Sequence, residues 1–383
     1  MKPLPRFAVT TVGSWPRPAE LLRAAKQRAP ELQRLQDEAV LAALRDQEES
    51  GADVVTDGEQ RRDNFFSFLC ERVEGLTLMT MAELLDHVED KAGFELLLQA
   101  LDVPAYAIRN AVATGRLRAR APLVRDDVRF LRRHTSKPVK ATLPGPYLLV
   151  RSSWVEALSR PAFGSRERLA DDVVALLRAE LQTLAEDGVE VVQFDEPVLT
   201  ELAFAGKSST RTFMCAALAA SASPEQELDL AVELINRVVD GVAGPLKALH
   251  VCRGNWSRDE GVLLEGSYDA LIPHLARMRV DQFVLEYATP RAGDPALLAG
   301  LPAGRAIGFG AVNPRTETIE DPAAIAARVR ALCRTLGHER VHLNPDCGFG
   351  TFAERPMNSR AVACAKVRAL AEAARRLRAD PPA

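Results

Sequence analysis

The sequence predicts an α/β fold, specifically a (β/α)₈ barrel with an insertion after its second βα unit. Short β-rich runs alternate with amphipathic helical stretches, and eight such units can be counted along the chain. In addition, conspicuous polar residues stand where the β-rich runs end, as in parallel barrels. Because α/β barrels often exceed the usual domain size, all 383 residues are assigned to one domain, 1–383. A doubly wound open sheet is the alternative.

The elements can be placed in order along the chain. The strand candidates are 8–13, 53–58, 138–143, 190–195, 246–252, 282–287, 305–311 and 341–346. The helical candidates lie at 31–49, 166–187, 225–240, 268–278, 320–336 and 359–378. Several of them begin with Ser, Asp or Pro, which are common at helix starts. The stretch of about 73–135 interrupts this alternation. We interpret it as an insertion or flap, because only two strands precede it and the barrel has to close across it.

Composition narrows the classes of partner. Hydrophobic residues make up 47% of the chain and charged residues 26%, which predicts a soluble globular protein with a sizeable core. The formal net charge of -3 comes from interspersed charges, so we expect no nucleic acid and no anionic membrane as partner, but a small molecule. No apolar run has signal-peptide character or approaches the roughly 18 residues of a membrane span, which predicts a cytoplasmic protein.

Candidate site residues gather at the carboxyl ends of the predicted strands, where the βα loops of a parallel barrel converge. They are Asp57 and Glu59 after strand two, Asp195 and Glu196 at strand four, His250 and Cys252 at strand five, Glu286 at strand six, and Asp346 and Cys347 at strand eight. The six cysteines lack the close spacing of a disulfide framework, so a cysteine with a special role is expected to be a ligand or nucleophile.

A metal site is predicted from four of these residues. Alternate strand residues face the same side, so His250 and Cys252 direct an imidazole and a thiolate toward one point. Cys347, followed by a glycine, and Glu286 supply a second sulfur and an oxygen. This donor set suits tetrahedral zinc, and soft thiolates disfavour magnesium or calcium. A purely structural ion is the alternative, although a fold of this size needs no metal staple.

The motifs resemble those of the cobalamin-independent methionine synthase family, specifically its catalytic C-terminal barrel, over nearly the whole chain. The matching segments are Val12-Gly13-Ser14, Asp57-Gly58-Glu59, Gln193-Phe194-Asp195-Glu196-Pro197, His250-Val251-Cys252, Glu286 and Asn344-Pro345-Asp346-Cys347-Gly348. The resemblance implies that His250, Cys252, Glu286 and Cys347 bind zinc and that homocysteine sulfur attacks a methyl group. It also implies a carboxylate site at Gly13 and Ser14, and ammonium binding by Glu59 and Asp195, which we take as the catalytic acids.

Three departures from the family pattern bear on the methyl donor. The folate-dependent enzyme has a second, N-terminal barrel, for which a chain of 383 residues has no room. Asn313, carried over as a substrate-binding position, stands where the family usually offers a histidine thought to deliver a proton to the folate. An amide is not a general acid near neutral pH. Tyr147 stands in the folate-stacking region, and Trp154 is the candidate replacement for a tryptophan there.

The resemblance therefore favours a zinc-dependent methyltransferase that forms methionine from homocysteine, with methylfolate or a methylated corrinoid protein as donor. An alkyltransferase of another thiol, similar to the epoxyalkane:coenzyme M transferases, is the first alternative. A sulfonate thiol would call for a basic pocket, with Arg61, Arg62 and Arg315 as candidate sources, although Arg61 and Arg62 also read as a solvated pair. A metal-free lyase resembling uroporphyrinogen decarboxylase is the second alternative. Glu59 as a solvated loop acid and Asp195 as a helix N-cap are the structural alternatives.

Overall fold

The fold is organised around a parallel sheet whose strands follow chain order. The computed structural model describes residues 2–87, 109–204 and 223–381. The strands are β1 (Val73–Thr80), β2 (Arg109–Ala119), β3 (Lys140–Pro144), β4 (Val191–Asp195), β5 (Leu246–Val251), β6 (Gln282–Glu286), β7 (Ala306–Val312) and β8 (Val341–Pro345). Strands β3 to β8 form one parallel sheet, with each strand paired to the next.

Two short segments near residues 8–10 and 53–55 close this sheet into a barrel. Parallel bridges join Val9 to β8, Thr10 to Val54, and Val55 to the residue before β3. The backbone hydrogen bonds run from Thr10 N to Leu343 O at 3.0 Å, from Val54 N to Val9 O at 3.1 Å, and from Val55 N to Pro138 O at 3.0 Å. The predicted barrel is confirmed, and the open sheet is wrong, because both edges of the sheet are joined through these segments.

Helices surround the barrel as an outer layer. They are α1 (Ala19–Gln27), α2 (Leu32–Glu49), α3 (Leu69–Arg72), α4 (Met81–Leu84), α5 (Arg125–Arg132), α6 (Pro146–Ser153), α7 (Glu156–Phe163), α8 (Arg166–Glu186), α9 (Val198–Phe204), α10 (Pro224–Val239), α11 (Ile272–Leu275), α12 (Pro322–Leu336) and α13 (Arg360–Ala379). The helix predicted over 268–278 is wrong in extent: a 3₁₀ turn at Tyr268–Ala270 precedes the four-residue α11, which starts beside Pro273. Across the described ranges, no helix has the length and apolar character that a membrane crossing requires.

The stretch expected to be an insertion contains a pair of strands that we refer to as the hairpin, and residues 88–108 between them lie outside the described part of the chain. Strands β1 and β2 pair antiparallel, and β2 packs on α6, α7 and α8. Helix α5, at the end of the same stretch, contacts α2 and α8 and so returns to the outer layer. The hairpin therefore lies over one side of the barrel, between the second and third barrel strands. That all of 1–383 is one domain stays a prediction.

The barrel interior combines a small apolar cluster with buried polar side chains such as Lys140 and Gln193, and its mouth is polar. Inward residues of several strands form a small apolar cluster of Val12, Val54, Val191, Ala248 and Val284. Outward residues of the strands join the large core under the helices. Strand β7 contributes glycines inside: a Cβ at Gly308 would lie 2.6 Å from Asn344 Oδ1. The glycines of β7 thus leave room for the polar end of β8.

Candidate metal and substrate site

Three of the four predicted metal ligands converge at the barrel mouth. His250 lies near the end of β5, Cys252 follows that strand directly, and Cys347 follows β8. Their ligand atoms all lie within 4.8 Å of one another, and all three residues are buried. The Nδ1 atom of His250 lies 3.1 Å from the Val284 carbonyl oxygen. Because a carbonyl only accepts, Nδ1 carries a hydrogen, and Nε2 is the nitrogen that a metal would bind in place of a proton.

The charges of this group suit metal binding. A hydrogen bond with Cys347, together with His250, outweighs burial and lowers the pKa of Cys252 to about 6. The same contact with Cys252, added to burial, raises the pKa of Cys347 well above its usual value. Burial opposes the charged imidazole, but interaction with the Cys252 sulfur raises the pKa of His250 to about 9. The two sulfurs thus share a proton that a bound cation would displace.

Glu286, the fourth predicted ligand, is buried beside this group but is not part of it. Its Oε1 accepts a hydrogen bond from Arg253 N at 2.9 Å. Its Oε2 has no hydrogen-bond partner and lies 3.6 Å from the guanidinium of Arg291 and 3.7 Å from that of Arg315. Sequence reasoning missed the contacts of Arg253 and Arg291, because a lone arginine in a loop carries no pattern. The role of Glu286 as a metal ligand stays a prediction.

The acids Glu59 and Asp195 line a pocket next to the metal group. Glu59 Oε1 accepts a hydrogen bond from Thr142 Oγ1 at 3.0 Å, while Glu59 Oε2 is buried without a partner. The backbone of Glu59 has φ 53°, a left-handed conformation that is costly for a non-glycine residue and is common at functional sites. Burial raises the pKa of Asp195 to about 7. Glu59 itself is buried, so the alternative that it is a solvated loop acid is wrong.

Gly13 and Ser14 lie in the loop after the first closing segment, beside Glu59. A Cβ at Gly13 would collide with Glu59 Oε1, and one at Gly348 would collide with Ser14 Oγ. Ser14 lines the pocket, and its Oγ accepts a hydrogen bond from Gly350 N at 3.3 Å. The absence of side chains at the two glycines lets the loop pack closely against the acid and against the segment after Cys347.

Asn313 does not reach the pocket lining among the described residues. Its side-chain amide donates to Glu260 Oε1 at 2.6 Å, and its backbone N donates to Glu320 Oε1 at 2.7 Å. Burial opposes ionisation of Glu260, but Asn313 and Arg315 outweigh it and lower the pKa of that carboxyl. The pair thus offers no acid near neutral pH, and the substrate role of Asn313 stays a prediction.

Arg61 and Arg62 are buried, with 8% and 3% of their side chains exposed, although one interpretation of the sequence made them a solvated pair. Arg62 Nη1 donates to both the carbonyl and the hydroxyl oxygen of Thr142 at 3.1 Å, and lies 3.9 Å from Glu59 Oε1. Arg61 lies over the Phe130 ring, 4.5 Å from its centroid. The solvated alternative is wrong because Arg61 packs on α5, whereas Arg62 lies against Thr142 of β3 and the Phe68 ring.

The remaining pocket wall was missed at the sequence level. Apolar surface comes from Phe65, Pro197, Trp256 and Phe352, and polar atoms come from Asn255 and Thr351. These residues lie in loops, where neither periodicity nor a short motif marks a pocket-lining position.

A closed parallel barrel with a nitrogen and sulfur donor group and two buried acids at its mouth defines a metal-competent barrel enzyme. Residues 7–226 and 249–375 match the family model described as "Cobalamin-independent synthase, Catalytic domain". The chain belongs to this family of cobalamin-independent methionine synthases.

Relatives named methionine synthase resemble the chain over most of its length. The protein of Thermococcus kodakarensis is 28% identical over 361 residues, covering 92% of this chain and 89% of that protein. The protein of Sulfolobus acidocaldarius is 27% identical over 348 residues, covering 89% and 85%. A B12-independent methionine synthase of a Shewanella species, solved with selenomethionine, superposes with a TM-score of 0.72 at 21% identity and covers 98% of this chain and 99% of that one. At that identity the likeness supports the fold.

Proposed function

We propose that the protein is a zinc-dependent methyltransferase that transfers a methyl group to the thiol of homocysteine and so forms methionine. One observation carries the proposal: the ligand atoms of His250, Cys252 and Cys347 lie within 4.8 Å of one another in a pocket that also holds Glu59 and Asp195. A thiol-binding centre thus adjoins two acids suited to an ammonium group.

The donor set fits zinc. One imidazole nitrogen and two sulfurs, all buried, favour zinc over magnesium or calcium, and His250 Nε2 is an orphaned polar atom that a cation would satisfy. Glu286, whose Oε2 accepts no hydrogen bond from the described residues, is the proposed fourth ligand. Zinc bound there would act as a Lewis acid that keeps a substrate thiol in its thiolate form at neutral pH.

The protein's own residues bind and orient the amino acid. Glu59 Oε2 is free to accept a hydrogen bond from the ammonium group, and Asp195 lies in the same pocket. The loop of Ser14 is the proposed carboxylate site. Apolar walls from Trp256 and Phe352 exclude water from the pocket. The contacts to the amino acid would orient its sulfur toward the incoming methyl group.

The donor is proposed to be methylfolate or a methylated corrinoid protein. Neither Asn313 nor the ionised Glu260 beside it can protonate a leaving group near neutral pH. A folate donor would thus need its proton from elsewhere. A cytoplasmic location stays a prediction.

Two alternatives have less support. A coenzyme M-like thiol needs a basic pocket for its sulfonate, yet the described pocket lining contains two acids and neither lysine nor arginine. Arg62 and Arg315 contact Thr142 and Glu260 instead. A metal-free lyase would have no use for a nitrogen and sulfur donor group with an orphaned imidazole nitrogen.

Metal analysis and calorimetry test the proposal. The purified protein should contain stoichiometric zinc and bind homocysteine only with the metal present, and more tightly than it binds coenzyme M. The variants Cys252→Ala and Cys347→Ala should bind zinc at least about 100-fold more weakly, since even outer contacts of a zinc site are worth 10- to 100-fold. The matched control is Cys333→Ala, because Cys333 lies on α12, is buried, and is not part of the pocket lining. Equal binding of homocysteine to a metal-free sample would contradict the proposed role of the ion.

A further inference from the structure

A lysine is buried inside the barrel below the two acids. Lys140 begins β3, faces the interior, and is 3% exposed. Its Nζ donates hydrogen bonds to the carbonyl oxygen of Thr11 and, at 3.0 Å, to Gln193 Oε1. Burial lowers the pKa of Lys140 to about 7, against the opposing effect of Asp195 and Glu59. None of the proposed substrate or metal contacts uses this lysine, although a buried ammonium group is costly to maintain.

The hydrogen bonds of Gln193 continue from Lys140 to the pocket. Its Nε2 donates to the Val12 carbonyl at 3.0 Å and to Asp195 Oδ1 at 2.8 Å. An ammonium group only donates and a carbonyl only accepts. Lys140 and Val12 together therefore permit a single orientation of the amide, with its oxygen toward the lysine and its NH₂ toward the carboxylate.

This orientation determines how Asp195 is presented to the pocket. One carboxylate oxygen, Oδ1, is held by the amide of Gln193. Without Lys140, Gln193 Oε1 would lose its donor, and the Val12 carbonyl alone would hold the amide against rotation. A less firmly held amide fixes Asp195 Oδ1 less well, so the carboxylate would lose its set position at the pocket.

We propose that Lys140 is a positioning residue for the substrate ammonium, acting through Gln193 to hold the Asp195 carboxylate toward the pocket. The inference rests on the proposed function, because it assigns the ammonium of homocysteine to this acid pair. Lys140 does not touch the substrate. Its effect should therefore depend on whether the ligand carries an amino group.

The test compares two thiols on the zinc-loaded protein by calorimetry: homocysteine, and 4-mercaptobutyrate, which is homocysteine without its amino group. In Lys140→Met we expect the Kd for homocysteine to rise about 10- to 100-fold, the range for one charge-assisted hydrogen bond. The Kd for 4-mercaptobutyrate should change less than about threefold, since it makes no ammonium contact. Zinc content should stay stoichiometric. Lys247→Met is the matched control, because Lys247 lies on β5 facing outward, where it pairs with Asp281 at 3.2 Å.

A second variant covers the case in which Lys140→Met does not fold. Gln193→Glu keeps an acceptor for Lys140 but removes the N–H that Asp195 accepts, so it should also lose homocysteine selectively. Equal losses for both thiols, or unchanged selectivity in the folded variants, would overturn the positioning role and leave the proposed function standing. If the wild-type protein itself binds homocysteine no better than 4-mercaptobutyrate, the amino acid assignment fails instead.

Discussion

Glu59 combines two features, each of which is uncommon for a buried glutamate. Its backbone is left-handed, at φ 53°, and one oxygen of its buried carboxylate has no hydrogen-bond partner. The other oxygen is held by Thr142, which Arg62 in turn contacts. The surrounding structure thus fixes a free acceptor at the pocket wall, as a site arranged in advance for a cation would require.

Glu59→Gln should therefore weaken homocysteine binding and leave the metal in place. The amide removes a charge-assisted hydrogen bond, so the Kd should rise about 10- to 100-fold. Calorimetry with the zinc-loaded protein measures this, and elemental analysis should show unchanged zinc. Glu20→Gln, an exposed acid on α1, is the control and should bind as the wild type does. Unchanged affinity in Glu59→Gln would contradict the ammonium assignment.

At the level of single residues, strand-end position and spacing were sufficient to predict some roles but not others. His250, Cys252 and Cys347 could be predicted to meet because barrel geometry brings strand ends together. The burial of Arg62 could not be predicted, since it depends on Thr142 of β3, some 80 residues further along the chain. The arginine contacts of Glu286 also arise from loops whose course has no sequence rule.

Helices α5 and α8 are joined by a fork of charged hydrogen bonds. Asp187, just after α8, accepts from Arg125 at 2.7 and 2.8 Å and from Arg129 at 2.7 and 2.9 Å. These two arginines hold the pKa of the Asp187 carboxyl well below its usual range. The contact anchors the chain where it returns from the hairpin to the barrel.

Asp187→Asn should lower the free energy of unfolding by about 1 kcal/mol at pH 7. Because the folded-state pKa is depressed, this stabilisation is complete above the unfolded pKa of about 4 and is lost as the pH falls below it. Urea unfolding of both proteins from pH 7 down to pH 3 should show the difference shrinking below about pH 4. Glu186→Gln is the neighbouring control, since the Glu186 side chain is 70% exposed and its carboxylate comes no closer than 3.7 Å to the Arg125 guanidinium. A difference that grows on acidification would contradict this account.

Among the elements, the barrel strands were predictable because their apolar runs are fully buried and bounded by turn signals. The hairpin of β1 and β2 was not identified as strands, since its outer face carries exposed arginines and its burial pattern is irregular. The helix predicted over 268–278 was too long, which shows that an apolar period alone does not determine where a helix begins and ends when a proline lies within it.

At the scale of the whole molecule, the last helix secures the closure of the barrel. Arg378 on α13 donates to the carbonyl oxygens of Arg6 at 2.8 Å and Phe7 at 3.2 Å, and to Asp53 Oδ2 at 2.5 Å. The same Asp53 oxygen accepts from Val9 N at 2.9 Å. One side chain therefore ties both closing segments to the outer layer.

Arg378→Ala should lower the free energy of unfolding by about 1 to 2 kcal/mol, since it leaves part-buried acceptors without a donor. Guanidinium unfolding followed by circular dichroism measures the change. Arg376→Ala is the matched control on the same helix, because its guanidinium pairs with Glu372 alone among the described residues and is 49% exposed. Equal destabilisation by the two substitutions would show that the closing contact contributes nothing special.

The contact of Arg378 with residues 6 and 7 lies at the amino ends of the barrel strands, whereas the donor group and the acids lie at the carboxyl ends. Arg6, Phe7 and Arg378 thus lie on the side of the barrel that faces away from the reactive opening. A fusion partner, surface linker or bead attached there would leave the opening toward solution.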